Sequence, residues 1–551
     1  MHKFYQTFIR FLAALLVLAS STAWSQSKTV TGVVTAADDG TSIPGVNVLE
    51  KGTSSGTVTD ANGAYSISIG STSTLVFSFV GYASQEIVVG DQSTINVSLG
   101  SDVTALSEVV IIGYGQTTLR DATGAVAAVK ASDFNAGVIS SPEQLIQGKT
   151  AGVQMTTTSG APGAGVEIRI RGTSSIRSNN NPLFVVDGVP LSGGTQPAAA
   201  DVGYGTTADT NPLNFLNPSD IESINILKDA SATAIYGSRG ANGVVIITTK
   251  SGKGNKGTFD FASSVSIASP ANRFDLLNRS EFLDGVDQFG GDPVAQDGGS
   301  DTDWQDYITR TSVSHKQNLS FSKGFQTASI RASLGYEDQQ GIIEHSSQKR
   351  FTGKVNASKA LLDNKLNFDL SVTYSNVRRE DPPISGNAGF AGDLLGAAYS
   401  ANPTWPTDPD FNTGGQRSPA NMLQYFQSEG TTNRFINNLS ADYKLSPALT
   451  AKATYGLDWS KGDRVTLVSG DAINAGDGVR DFGQGQLNEN RTISNLLELT
   501  LNYNKNVGNV QIDLVGGYSV QSFRNDYYWA AGRGFTDFSN FGSMESELRA
   551  S

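Results

Sequence analysis

The chain has 551 residues, with 60 glycines and no cysteine, and its 40 basic and 52 acidic residues give a formal net charge of -12. This length predicts several domains, and many glycines among aliphatic and aromatic residues favour a mostly β protein rich in turns. A negative chain repels phosphate, so we expect no nucleic-acid partner. The lack of cysteine excludes disulfides, thiol catalysis and zinc–thiolate sites.

The N-terminus predicts export from the cytoplasm. Lys3 and Arg10 precede an apolar run over residues 11–19, and Ala23-Trp24-Ser25 supplies small residues of the kind that signal peptidase requires. We therefore predict a signal peptide at residues 1–25. The apolar run is about half of the ~20 residues that a membrane-spanning helix needs. Any entry into a membrane would therefore have to use β-structure.

Short alternating strands separated by turns predict a small β-sandwich over residues 26–100. The turn before Tyr65 and the Val80-Gly81-Tyr82 segment resemble the carboxypeptidase regulatory-like domain, an immunoglobulin-like module of larger exported proteins. Gly52-Thr53-Ser54-Ser55-Gly56 formally fits a nucleophile elbow, but no helix is predicted after it and the chain has only three histidines, His2, His315 and His345, so we expect only a turn. The predicted strands are 30–35, 46–49, 63–67, 75–79 and 95–99.

Residues 106–115, Leu-Ser-Glu-Val-Val-Ile-Ile-Gly-Tyr-Gly, form a short apolar run between two glycine-punctuated domains. The run has β propensity and no evident partner strand of its own. Such a segment can add itself as an extra strand to the exposed sheet edge of another protein. A buried strand of the preceding domain is the alternative.

A set of motifs lies within residues 117–252. The motif residues are Arg169, Arg171, Gly172, Asp187, Gly188, Glu222, Lys228, Asp229, Tyr236, Gly237, Arg239, Gly240 and Gly243. Together they closely resemble the plug domain of TonB-dependent outer-membrane receptors. The match is closest to the SusC/RagA-type nutrient importers of Bacteroidetes, in which sandwich, coupling box, plug and barrel follow in this order.

The resemblance implies roles for several of these residues. Residues 101–116 would hold the TonB box and a linker. Arg169, Arg171, Glu222 and Arg239 would face the barrel wall through charged contacts, although a solvated strand face is the alternative for each. Residues 252–257 lack the spacing of a phosphate-binding loop and are interpreted as the linker from plug to barrel. The predicted TonB-binding residues are Glu108, Val109, Val110, Ile111, Ile112 and Gly113.

After Gly257 the hydrophobic period becomes two, and tight turns alternate with long Gly- and Asp-rich loops. This rhythm is typical of a bacterial outer-membrane barrel. Tyr374, Tyr443, Trp459, Tyr503 and Tyr518 are suited to interfacial girdles. The nine predicted strands are 258–267, 316–323, 328–336, 351–359, 366–374, 435–443, 451–459, 493–503 and 510–520.

The predicted fold is therefore mostly β: an immunoglobulin-like sandwich, an α+β plug and, over residues 253–551, the first part of a transmembrane antiparallel barrel. The resemblance implies a barrel of about 22 strands. Because the chain supplies about nine, we expect it to be an N-terminal fragment that leaves a bare sheet edge.

The resemblance implies TonB-dependent import of a nutrient, an oligosaccharide or oligopeptide, across the cell outer membrane. The implied partners are TonB with its inner-membrane energising complex, a SusD-like surface lipoprotein and outer-membrane lipid. A siderophore or cobalamin receptor and a non-transporting signalling or adhesion receptor are alternatives. We expect no enzyme activity, because no carboxylates or histidines form a catalytic motif, and no cofactor.

A cluster of aspartates in one predicted outer loop raises the question of calcium. Such runs are more often solvated loop, so we assign no metal. The cluster consists of Asp292, Asp297, Asp301 and Asp303.

Overall fold

The computed structural model describes residues 27–550 except 38–39, 52, 54, 71–72, 80–81, 83, 101–108, 113–114, 119–125, 174–179, 193–196, 198–200, 208–209, 230–232, 387–391, 473–482 and 508–509. The predicted signal peptide lies outside the described residues. The chain divides into two compact units and passes between them at residues 109–123. Among the described residues, no helix is both long and apolar enough to cross a membrane.

The first unit is a β-sandwich, as the sequence predicts. One sheet has the strand order β4-β1-β7 and the other β3-β2-β5-β6. Alternation along the strands buries Val30 and Val34 from the first sheet against Val48 and Phe77 from the second. The strands are β1 Ser27–Ala36, β2 Asn47–Glu50, β3 Gly56–Val58, β4 Ala64–Gly70, β5 Thr74–Ser78, β6 Gln85–Val88 and β7 Val97–Leu99.

Two of these strands, β3 and β6, were not among the sequence predictions. Both are short and largely exposed, so they lack the apolar alternation by which a strand is recognised. The nucleophile-elbow pattern leads into β3 rather than into a helix, which agrees with its interpretation as a turn.

The apolar run between the domains is extended, but the expectation that it has no partner strand is wrong. β8 (Val109–Ile112) and β9 (Gly115–Thr118) form a two-stranded sheet. Their separation in sequence is two residues, the commonest length of a β-hairpin connection.

The plug contains a five-stranded sheet with the order β10-β15-β16-β13-β14 and a separate hairpin of β11 and β12. Its described helical elements are short 3₁₀ helices at Ala131–Asp133, Pro142–Leu145, Pro218–Asp220 and Ala234–Gly240. An apolar core on one side of the sheet joins it to the hairpin. The strands are β10 Val126–Lys130, β11 Val153–Thr157, β12 Val166–Ile170, β13 Leu183–Val186, β14 Val189–Pro190, β15 Ile221–Leu227 and β16 Val244–Thr249.

The remaining strands form one nine-stranded antiparallel sheet in which each strand pairs with its neighbours in sequence. All nine predicted strands are confirmed. They are β17 Thr258–Ala268, β18 Ser312–Gly324, β19 Ala328–Gln340, β20 Ser347–Leu361, β21 Leu366–Glu380, β22 Phe426–Ser446, β23 Leu449–Val468, β24 Gln484–Val507 and β25 Val510–Arg533.

The two faces of this sheet differ in polarity. On β24, Leu497, Leu499 and Leu501 are 42–50% exposed on one face, whereas Thr492 and Ser494 are buried on the other. An apolar outer face and a polar inner face are what a strand in an outer-membrane barrel requires. The strands run further toward the long loops than predicted. There polar residues such as Asp526 appear on the outer face of β25 and apolar ones such as Trp529 on its inner face, so the alternation signal is lost.

The long loops carry helices that the sequence analysis did not predict. Trp304, Leu394, Trp405 and Met422 join segments of two loops into one buried apolar cluster. The helices are α1 Arg279–Gln288, α2 Pro293–Gln296, α3 Trp304–Ile308, α4 Leu394–Ser400, α5 Pro419–Tyr425 and α6 Phe541–Ala550.

Candidate functional site

The candidate site is the interface between the plug and the inner face of the barrel strands. A tight turn of the plug presents Asp187 there. Asp187 and Gly188 join β13 to β14 with φ angles of 45° and 85°, the two positive values that a type I′ turn needs. A Cβ on Gly188 would lie 3.1 Å from Asn438 Nδ2 of β22, so this turn also lies close against the barrel strands.

The Asp187 carboxylate joins the plug to two barrel strands. It accepts hydrogen bonds from the Thr249 backbone N–H at 2.8 Å, from Lys354 Nζ at 2.7 Å and from Ser371 Oγ at 2.8 Å. Burial alone would raise the pKa of Asp187, but the Lys354 ammonium and the Thr249 donors hold it below the ordinary value. Asp187 therefore stays charged and paired inside the protein.

A second plug carboxylate contacts the wall nearby. Asp220 accepts a hydrogen bond from Ser333 Oγ at 2.8 Å and lies 3.4 Å from Arg331 NH2. Next to it, the Asn217 side chain donates to the Asn318 side-chain oxygen on β18. These contacts, like those of Asp187, join side chains of the plug to side chains of the barrel.

Four barrel arginines beside the plug are almost fully buried, but each has its carboxylate partner within the barrel itself. Arg350 pairs with Glu337, and Arg434 lies 2.8 Å from Asp458. Arg379 and Arg464 share Asp381, each at 2.6 Å. Burial would raise the pKa of Asp381, but the two guanidinium groups hold it below its usual value.

These arginines direct further N–H groups at backbone carbonyl oxygens of the plug. Arg350 donates to Asn214 O at 2.9 Å, and Arg464 donates to Pro197 O at 2.8 Å. The wall thus holds much of the plug through its backbone rather than through its side-chain charges. Weaker contacts of the same kind are Arg434 to Pro212 O at 3.3 Å and Arg379 to Gly163 O at 3.5 Å.

Among the described residues, three of the four residues predicted to make charged wall contacts pair elsewhere, so their contact with the wall stays a prediction. Arg169 pairs with Glu167 at 2.8 Å, and Arg171 pairs with Asp229, both inside the plug. Glu222 pairs with Lys253 of the linker. The alternation that exposes these side chains on one strand face cannot tell whether that face meets the barrel or solvent.

The fourth residue, Arg239, does contact a barrel strand. Its NH2 group donates to Gln521 Oε1 at 2.6 Å, and its guanidinium lies 5.3 Å from the centre of the Phe523 ring. These two partners are a neutral amide and an aromatic ring.

The other motif residues shape the plug. Lys228 and Asp229 follow β15, and Lys228 Nζ donates to Ala151 O at 3.0 Å. Gly243 has a φ of 92°, and a Cβ there would lie 2.6 Å from Ile170 Cδ1, so only glycine fits before β16. Gly172 follows β12, and Tyr236, Gly237 and Gly240 lie in the last 3₁₀ helix.

The predicted TonB-binding residues are only partly described. Val109, Val110, Ile111 and Ile112 form β8, whereas Glu108 and Gly113 lie outside the described residues. Their role in binding TonB stays a prediction.

The sequence analysis missed the wall partners Lys354, Ser371 and Asp458. Each is a polar residue at an inward position of an alternating strand, and that position could have been recognised from the sequence. Their partners in the plug could not be predicted from the sequence, because the partners are far apart along the chain; Asp187, for example, is 167 residues from Lys354.

The aspartates of the first long loop are engaged in local structure. Asp297 lies 2.6 Å from Arg279, and Asp292 and Asp303 cap α2 and α3. Within the described ranges, no group of three or more histidines and carboxylates is placed to hold a metal ion.

Two sequence families match the chain. Residues 118–244 match the TonB-dependent receptor plug domain, and residues 30–111 match the CarboxypepD_reg-like domain. The chain is 35% identical to the TonB-dependent receptor SusC of Bacteroides thetaiotaomicron, over 82% of the chain and 46% of that protein. It is 34% identical to the TonB-dependent receptor P3 of Formosa agariphila, over 95% of the chain and 51% of that protein.

Among solved structures, the fold resembles a chain of the RagAB peptide importer in its open-open state. The TM-score is 0.65 at 24% identity, over 78% of this chain and 50% of that one. The chain thus spans about half the length of the relatives it matches.

A plug lodged against the polar face of an antiparallel membrane-type sheet defines the class of plugged outer-membrane receptors. Together with the N-terminal sandwich and the relatives above, it identifies the family. The chain is a relative of the SusC-type TonB-dependent receptors, which are proteins of the cell outer membrane.

Proposed function

We propose that this protein takes part in the TonB-dependent active import of a nutrient, an oligosaccharide or an oligopeptide, across the outer membrane. The observation that carries the proposal is the plug seated on the inner face of the barrel strands by hydrogen bonds and two ion pairs. A passage closed by a separable domain needs an energy source to open it. No bond of the substrate is broken in such a process.

The proposed coupling element is the segment Glu108 to Gly113. Four of its residues are extended in β8, and aliphatic residues with β propensity suit a strand that joins a foreign sheet. Because β8 pairs with β9, binding to TonB would exchange a local partner for TonB's own sheet edge. The backbone hydrogen bonds of such a strand are loaded together along its axis, so they can withstand the pulling force of TonB.

The proposed outer partner is a SusD-like surface lipoprotein that closes over the substrate as a lid. Similarity to SusC and the fold of the RagAB peptide importer support this proposal. A gene for such a lipoprotein beside this one would favour glycan or peptide import over a metal-chelate receptor.

The proposal is tested by growth on a panel of glycans, peptides, ferric chelates and cobalamin. One strain lacks the gene, and a second carries Ile111→Pro, which removes a backbone N–H that strand pairing needs. Ile111→Val is the matched control, because valine keeps both shape and β propensity.

We expect both defective strains to fail on the same glycan or peptide, with normal receptor in the outer membrane, while the control grows. Normal growth of the Ile111→Pro strain where the deletion strain fails would remove the coupling claim. A defect confined to ferric chelates or cobalamin would overturn the substrate class.

A further inference from the structure

Five basic side chains lie on the outer face of the barrel strands, toward the long loops. Lys349 and Arg378 are exposed, and each lies between two buried residues of its strand. The residues that follow them, Arg350 and Arg379, contact the plug. Because successive side chains of a strand point to opposite faces, Lys349 and Arg378 point away from the plug. We name the five residues the basic belt: Lys349, Arg378, Lys461, Arg491 and Arg524.

The strand register makes four of these residues like-charged neighbours. Lys349 lies opposite Arg378 on β20 and β21, and Lys461 lies opposite Arg491 on β23 and β24. Arg524 follows on β25. Like charges that lie directly opposite one another destabilise a sheet. An anion bound between them would remove the repulsion.

On β23 to β25, two carboxylates contact three cations of the basic belt. Asp526 lies 2.5 Å from Arg491 and 3.0 Å from Arg524. Lys461 lies 2.9 Å from Glu489. The three basic side chains are 41–68% exposed, so a further anion can reach them.

The pair on β20 and β21 is neutralised even less. Lys349 lies 3.8 Å from Asp338, and its side chain is 54% exposed. Arg378 forms no ion pair with any residue that the structure describes. Two outward carboxylates further toward the loops have other partners: Glu380 contacts His345 at 3.1 Å, and Asp463 contacts Arg549 at 3.7 Å.

Aromatic side chains lie on the same outer face, next to the basic belt on the side of the tight turns. Lys349 is two residues from Phe351, and Lys461 is two residues from Trp459. Aromatic side chains on the outer face of a membrane barrel mark the level of the lipid headgroups, and the long loops of such a barrel lie outside the cell. The basic belt therefore lies at the headgroups of the outer leaflet. The aromatic residues, joined by strand register, are Tyr336 with Phe351, and Tyr374 with Phe435 and Trp459.

The basic belt crosses the strands on an incline. Lys461 is in the row of hydrogen-bonded partners that contains Phe351, two residues nearer to the tight turns than Lys349. Arg524 is two residues nearer still. The aromatic residues shift in the same direction, from Phe351 to Trp459.

The size of this incline agrees with the geometry of a membrane barrel. Two steps of about 7 Å along the strands, over five strand spacings of about 4.8 Å, give an incline of about 30°. Strands of outer-membrane barrels tilt by about 35–45°. A line with such an incline runs close to the membrane plane, so the five cations lie at nearly one depth.

We propose that the basic belt binds the phosphate groups of a phosphorylated glycolipid in the outer leaflet. Cations grouped at headgroup depth fit a ligand with several anionic groups at that depth and acyl chains below it. Guanidinium and ammonium groups both donate hydrogen bonds to phosphate, so one phosphate can bridge each like-charged pair. The exposed Leu497 and Leu499, on the same outer face, would contact the acyl chains. This inference does not depend on the transport proposed above.

The test measures how much phosphorylated glycolipid stays bound to the purified full-length receptor through repeated detergent exchange. Mass spectrometry of the extracted lipid gives the amount per receptor. Each of two double variants removes one like-charged pair: Lys349→Gln/Arg378→Gln and Lys461→Gln/Arg491→Gln.

The matched control is Lys323→Gln/Lys505→Gln, which makes the same charge change on the same outer face beside the tight turns. We expect wild type and control to retain the glycolipid and each double variant to retain at least about tenfold less. Unchanged retention in both double variants, or an equal loss in the control, overturns the inference. Loss of phospholipid with unchanged glycolipid would show that the ligand is a phospholipid, and the proposed glycolipid would be wrong.

Thermal unfolding with added lipid gives an independent measurement. A ligand that binds only the folded receptor raises its Tm. We expect purified lipopolysaccharide to raise the Tm of wild type and control but not of the double variants, and its enzymatically dephosphorylated form to raise none of them. An equal rise with both forms in the wild type, or a full rise in the double variants, would overturn phosphate recognition by the basic belt.

Discussion

The ion pair between Asp187 and Lys354 gives the sharpest prediction about how the plug is held. Asp187→Asn keeps the shape of the turn but removes the negative charge, so the Lys354 ammonium, 6% exposed, keeps only neutral oxygens such as the hydroxyls of Ser371 and Thr373. Breaking a buried pair on one side costs about 3–5 kcal/mol. Because two hydroxyls remain, we expect about 3 kcal/mol, which raises the population of unseated plug by about two orders of magnitude.

The assay is ion conductance of the purified full-length receptor in a planar bilayer, supported by the sensitivity of cells to an antibiotic too large for porins. Asp229→Asn is the matched control, because its partner Arg171 is 55% exposed and the pair is worth no more than about 1 kcal/mol. The double variant Asp187→Asn/Lys354→Met leaves no unpaired charge and should recover much of the seating. Equal conductance for Asp187→Asn and Asp229→Asn would refute the reasoning.

The same pair predicts a pH dependence of definite sign. The pKa of Asp187 lies below its ordinary value in the folded protein, so its contribution is complete above the unfolded pKa of about 4. It is lost as the pH falls through the lower folded value. Conductance of the wild-type receptor should therefore rise on acidification below about pH 4, and conductance of Asp187→Asn should rise less.

Gly188→Ala should destabilise the purified receptor by about 1–2 kcal/mol, because the backbone φ there is positive and the new side chain would contact Asn438. Gly148 also has a positive φ but open space around it, so Gly148→Ala should cost less. Thermal unfolding compares the two variants. Trp304→Ala should lower the stability of the outer-loop cluster by about 3–5 kcal/mol. Trypsin should then cleave the loops faster on intact cells, and an unchanged cleavage rate would contradict this expectation. Tyr65→Phe should lower the unfolding free energy of the sandwich by about 1–3 kcal/mol, because the buried Ile95 carbonyl loses its 2.8 Å hydrogen-bond donor. Denaturant unfolding followed by far-UV circular dichroism measures the loss.

The fold could be predicted largely from the sequence because its signals are local. A strand with one face toward lipid and one toward a polar interior must alternate, as Leu497, Leu499 and Leu501 do against their polar neighbours. Such a pattern requires no knowledge of distant residues. The alternating pattern is lost where a strand no longer has one face toward lipid and one toward a polar interior, at the loop-side parts of β22 to β25. It is also lost where a strand is as short as β3.

The contacts of the candidate site also differ in whether local sequence is enough to predict them. The tight turn after Leu361 fixes the register of β20 against β21, so that Lys354 lies opposite Thr373, and this contact follows from the sequence once the strands are known. No such rule places Asp187 beside Lys354, because the plug is a separate domain whose orientation inside the barrel is set by its whole surface. The motif resemblance marked Asp187 but could not supply its partner.

The pairing of Arg169, Arg171 and Glu222 within the plug and its linker bears on how a separable interface is built. If many ion pairs joined the plug to the wall, each separation would leave unpaired buried charges on both sides, at a free-energy cost of several kcal/mol per pair. The observed arrangement avoids most of that cost, because Arg350 and Arg434 are neutralised by carboxylates of their own barrel strands and offer the plug only hydrogen bonds. An arginine already paired across two barrel strands can therefore contact the plug and separate from it without losing its counter-ion.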